Sequence, residues 1–125
     1  MADAVQPKPD LLQRAAAVIA KHEAEIKPLE IEAARCWWAA NVSGSEETYK
    51  KKEALETQLE LKLADARTFA ELKELRAGGL ADPLLSRQVQ LLHLMYLPRQ
   101  IDPKLLAEMI RLSNKLEKAF NAYRP

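Results

Sequence analysis

The chain is short of the residues from which most sites are built. It has one cysteine, Cys36, so no internal disulfide can hold the fold together. Its two histidines, His22 and His93, limit metal chemistry, because a catalytic zinc draws on three protein ligands. Three glycines leave no glycine-rich phosphate loop, and no serine elbow occurs. Neither sign of charge is in excess: 19 basic residues stand against 18 acidic ones, for a net charge of +1. That balance argues against a nucleic-acid or anionic-membrane binder, which would show a basic excess or a basic face. No apolar run approaches the length of a membrane-spanning helix, and Met1-Ala2-Asp3-Ala4 lacks a signal-peptide core. The compartment stays open: periplasmic or extracellular if a parent protein carries a leader, cytoplasmic otherwise.

What is present suits a single helical domain. A chain of 125 residues can bury roughly two thirds of its unfolded surface, and 48% of its residues are hydrophobic. Residues 1–9, with two prolines, read as a flexible lead-in, and 10–125 as the domain. Asp10 suits an N-cap. From there Leu11, Ala15, Val18, His22, Ile26, Leu29, Ala33, Cys36/Trp37 and Ala40 recur every three or four residues, the stripe of an amphipathic helix. Pro28 removes one backbone bond and clashes with the preceding turn, so the spacing predicts one long helix kinked there. Asn41 to Gly44 ends it.

A second helix starts at Ser43 or Ser45, with Tyr49, Leu55, Leu59, Leu63, Ala66, Phe69 and Leu72 on its buried side. Asp65 breaks or bends it, and Gly78-Gly79 stops it. Asp82-Pro83 and Asp102-Pro103 each place a capping carboxylate before a proline at the first helical position. The run from Val89 to Leu97 is apolar nearly all round, which predicts a central buried helix over 83–97. Pro98 ends that helix, and the short link predicts an αα-hairpin with a final helix over 103–123. Its Leu105, Met109, Leu112, Leu116, Ala119/Phe120 and Tyr123 form a narrow packing seam. The fold class is all-α, an antiparallel bundle of four to five helices.

Few side chains offer chemistry. His22-Glu23-Ala24-Glu25-Ile26 begins like a zinc helix, but Ile26 stands where the second histidine belongs. His22 and His93 therefore read as buried structural histidines, and Cys36 as a packed thiol with no base placed beside it. The carboxylates lie among lysines at helical spacing, and Lys50-Lys51-Lys52 is offset by its acidic neighbours; both read as solvated faces. Asn41-Val42-Ser43 matches the glycosylation acceptor pattern, a weak signal. Trp37 and Trp38 point about 100° apart on a helix. Either that helix is buried over a wide arc, or one indole faces a partner.

Read together, Ile26-Lys-Pro-Leu-Glu-Ile-Glu-Ala-Ala-Arg-Cys-Trp-Trp-Ala-Ala-Asn-Val-Ser-Gly-Ser-Glu-Glu-Thr-Tyr-Lys resembles the N-terminal region of the angiotensin-converting-enzyme-like peptidyl-dipeptidases, in their bacterial branch. The likeness continues through Phe69-Ala-Glu-Leu-Lys-Glu-Leu, Asp82-Pro-Leu-Leu-Ser-Arg-Gln, Tyr96-Leu-Pro-Arg-Gln-Ile-Asp-Pro-Lys-Leu-Leu and Phe120-Asn-Ala-Tyr-Arg. It implies a helical lid over the cleft of a zinc metallopeptidase, with the His-Glu-x-x-His motif and the other catalytic residues outside this segment. The expectation is a non-catalytic N-terminal domain with no cofactor of its own, zinc belonging to the parent enzyme. Its partners would be the remainder of that peptidase, or a second copy of the isolated fragment, and neither nucleic acid nor membrane. A rival expectation is a free-standing interaction module using Trp37 and Trp38. A third is a small metal site of His22, His93 and Cys36.

Overall fold

The computed structural model describes residues 10–123. The lead-in of 1–9, Arg124 and Pro125 lie outside the described residues. Within them the chain is all-α: α1 Leu11–Glu25, α2 Lys27–Ser43, α3 Glu46–Leu63, α4 Ala66–Ala77, α5 Pro83–Tyr96 and α6 Pro103–Ala122, with a 3₁₀ turn at Leu97–Arg99.

The kinked first helix is present as α1 and α2. Ile26 separates them; it keeps right-handed helical angles, donates to the carbonyl of His22 at 2.8 Å, and accepts from Glu30 at 2.9 Å. Pro28 lies at the start of α2, where its missing N–H costs little. The apolar stripe runs through the break, with Ala15, Val18, Ile26, Ala33, Cys36 and Ala40 all buried. Counting α1 and α2 as one bent rod gives five helices.

The other boundaries follow from capping. Gly44 takes the left-handed conformation (φ 66°) that ends α2, and the Ser45 hydroxyl accepts from the Thr48 amide at 3.2 Å to start α3. Asp65 breaks the second helix rather than bending it, because its carboxylate accepts from the Thr68 amide at 3.0 Å and caps α4. Asp82 and Asp102 cap α5 and α6 in the same way.

The helices gather in two groups that share the rod α1–α2. In the first, α1, α4 and α5 pack on one another around Ala15, Val18, Leu72, Leu75, Val89, Leu92 and Tyr96. In the second, α2 and α6 flank α3, and the interior is of another kind: Ala33, Cys36 and Ala40 face Tyr49, Lys52, Leu106, Ile110 and Asn114. Ile26 and Leu63 sit at the junction, where Arg99 also donates to Glu60 at 2.7 Å and 3.0 Å.

Three expectations need correction. The helix α5 is not buried on every side: Val89, Leu92, His93 and Tyr96 face inward, while Leu84, Leu91 and Leu94 are exposed. It has neighbours only on the side of α1 and α4. The αα-hairpin between α5 and α6 is absent, because the turn at Leu97–Arg99 carries α6 away to pack along α3. Finally, the predicted seam of α6 points outward. Leu105, Met109, Leu112, Leu116, Phe120 and Tyr123 are all exposed, and α6 meets α3 through Leu106, Ile110 and Asn114 instead.

Candidate functional site

The α6 surface results from two rows that run side by side along one helix. One row, Leu106, Ile110 and Asn114 with Glu117 beyond, is spaced by about one turn and lies against α3. Its polar end is matched from the other side. Lys52 is 1% exposed, and its ammonium donates to Asn114 Oδ1 and Glu117 Oε2, each at 2.8 Å. Glu56 stands 2.8 Å from the same nitrogen and accepts from Asn114 Nδ2 at 2.7 Å. Burial, the largest influence, pulls the Lys52 pKa down, but the hydrogen bonds to Glu117 and Glu56 outweigh it and the net shift is upward. The contact between α3 and α6 is therefore held by a satisfied charge cluster as much as by apolar packing.

The second row is apolar and uncovered. Leu116 is 72% exposed and Phe120 82%. Isolated exposed leucines are ordinary, but a contiguous row along five turns of one helix is not. Here α6 carries its polar cluster inward and its largest hydrophobic side chains outward.

One of the two tryptophans, Trp37, stands next to this row. Trp37 Nε1 donates to Glu117 Oε1 at 3.0 Å, so the indole spans from α2 to α6. Beneath it, Ala33, Ala34, Leu59, Met109 and Ile110 line an open groove of about 530 Å³. Trp38, further round α2, is 67% exposed, with Ile31 and Val42 exposed on the same helix. Neither indole is buried; the alternative of a wide buried arc does not hold, because α2 has a single long neighbour, α3, and Ala33, Cys36 and Ala40 are enough to fill that contact. Asn41 has its side chain engaged, donating to the Trp37 carbonyl at 2.9 Å.

The histidines and the cysteine occupy three separate places. His22 Nδ1 lies 3.2 Å from the Tyr96 hydroxyl, at a polar pocket lined also by Lys21, Lys62, Asp65 and Thr68. Burial lowers the His22 pKa against the pull of Glu30 and Glu23, and burial pushes Tyr96 up to about 12. Both are neutral at pH 7. His93 is buried between α4 and α5, its ring stacked on Phe69 with centroids 5.2 Å apart, and its Nδ1 has no hydrogen-bond partner among the described residues. Cys36 is buried on α2, in the other helix group. Among the described residues no three His, Cys, Asp or Glu side chains come together so as to hold a metal ion, and no helix is long and apolar enough to cross a membrane.

Two features escaped the sequence reading. Lys52 sits in a run of three lysines that looks solvated, and only the paired carboxylates at Glu56 and Glu117 would have hinted at its burial. The direction of α6 was hidden because the outer row is longer and more regular than the inner one. No family model matches the chain, and no curated protein and no solved structure matches it.

Proposed function

We propose that this chain is a non-catalytic helical docking domain, and that its setting is the lid of a peptidyl-dipeptidase-like zinc metallopeptidase. The observation that carries the docking role is the outward apolar row of α6, flanked by Trp37 and the groove beneath it. A surface of this composition gains free energy when another protein covers it, at about 25 cal/mol for each Å² of apolar area removed from water. The lid setting rests on the resemblance of the chain from about residue 20 onward. On that reading zinc and the catalytic residues belong to the remainder of the peptidase, and the domain contributes steric gating of the cleft.

A second reading, a free-standing interaction module, is favoured by the exposure of both Trp37 and Trp38. The two part at the natural reading frame: continuation past Pro125 into a His-Glu-x-x-His motif favours the lid, and termination there favours the module. Both readings share one test. The purified chain incubated with short blocked peptides should release no product. Hydrolysis that a chelator abolishes would overturn them together.

A further inference from the structure

We infer that a second copy of this chain covers the outer face of α6, the two helices lying antiparallel about a two-fold axis. The inference rests on the docking role proposed above and names its occupant.

The outer row has the spacing of a coiled-coil seam. Leu105, Met109, Leu112 and Leu116 alternate steps of four and three, so they stay on one side of the helix as a partner helix requires. With the two-fold axis between Ile110 and Arg111, Leu105 packs against the partner's Leu116 and Met109 against the partner's Leu112. Symmetry repeats both layers, which makes the interface self-complementary. The charges select this register. Glu108 and Lys115 lie on the same flank of the row, both exposed. The antiparallel register sets each Glu108 beside the partner's Lys115, giving two interhelical ion pairs. A parallel pairing would set them opposite Ser113 and Phe120 and form none. Glu108 is held meanwhile by Arg111 at 2.6 Å, an exposed pair that costs little to share.

The size suits a concentration-dependent dimer. The exposed portions of Leu105, Met109, Leu112 and Leu116 amount to on the order of 400 Å² per copy, about half of the roughly 800 Å² per partner of a standard stable interface. The interior of the α2–α3–α6 group adds to the case. It is already filled by Ala33, Cys36, Ala40, Tyr49, Leu106, Ile110 and the charge cluster, so the outer-row side chains of α6 find no core within their own chain.

Sedimentation equilibrium of the purified chain, from micromolar to submillimolar concentration, tests this. The wild-type chain should be dimeric. Leu116→Glu should weaken the dimer on the order of 100-fold or more, since the change enters the interface twice. It should leave the circular dichroism unchanged, because Leu116 is exposed in the single chain. Glu108→Lys should weaken association, and adding Lys115→Glu should restore it. A wild-type monomer throughout the range would overturn the inference and leave the face to another occupant, such as the remainder of a peptidase. A dimer indifferent to Leu116→Glu would also overturn it, and failure of the charge swap to restore association would overturn the antiparallel register. None of these failures touches the docking role, which falls only to chelator-sensitive hydrolysis.

Discussion

The ammonium of Lys52 donates to the amide oxygen of Asn114 at 2.8 Å, across 62 residues of sequence, and this contact fixes α6 on α3. Glu56 and Glu117 complete the cluster while keeping some exposure to solvent. Breaking a buried charge pair costs about 3–5 kcal/mol, but carboxylates that can rehydrate reduce that penalty. Lys52→Met should therefore destabilise the chain by about 2–3 kcal/mol in urea unfolding. Adding Asn114→Leu should cost less than the sum of the two single changes, because both act on one cluster. Additive losses in a double-mutant cycle would show that the two residues act independently.

His93 gives the fold a weakness in mild acid. Burial lowers its pKa from 6.5, and Arg76 and Lys73 on α4 push in the same direction. The folded ring stays neutral while the unfolded chain protonates near 6.5, so its contribution is complete above that pH and declines as pH falls below it. His22, also lowered by burial, acts in the same window. The carboxyls of Asp65 and Glu71, lowered by Thr68 and Arg14 respectively, lose their contributions only on further acidification, below 3.8 and 4.5. Between pH 7 and 5 the unfolding free energy should drop by up to about 1.4 kcal/mol per pH unit for each histidine. His93→Leu should remove about half of that slope. An unchanged slope in denaturant titrations would assign the effect elsewhere.

The two aromatic neighbours on α2 and the core leucines should differ sharply in sensitivity. Trp38 is exposed, so Trp38→Ala should change stability by no more than about 0.5 kcal/mol. Leu72 is wholly buried in the α1–α4–α5 core, and Leu72→Ala should cost about 2–5 kcal/mol. Thermal unfolding of the two variants side by side measures the contrast. A large loss at Trp38 would mean that its ring is covered in the folded chain.

Local signals in the sequence were the legible ones. The stripe from Leu11 to Ala40 kept its phase across Pro28, and the buried residues of α1 and α2 fall on it. Asp10, Asp82 and Asp102 cap where their positions before the helices suggest, since a cap depends only on the next three residues. What the sequence could not express was which neighbour each helix finds. For α6, periodicity identified a seam of Leu105 to Leu116 but not whether it faces inward. The short link at Pro98 implied a hairpin with α5, whereas the turn directs α6 to α3. Lys52 shows the same limit, because its burial depends on Asn114 and Glu117, which are more than sixty residues away. For the candidate site, Trp37 and Trp38 were legible as unusual from their adjacency alone, and their exposure follows from how few helices surround α2.

The break at Ile26 has a consequence for how the molecule responds to its solvent. One bent rod serves two interiors, an apolar one around Leu72 and Val89 and an ionic one around Lys52. Cooling weakens the first, because hydrophobic burial loses its driving force at low temperature. Heating divides the two, because the gain from apolar burial levels off while the desolvation penalty of the charged cluster keeps falling. The two ends of this rod are thus anchored by forces with different temperature dependences.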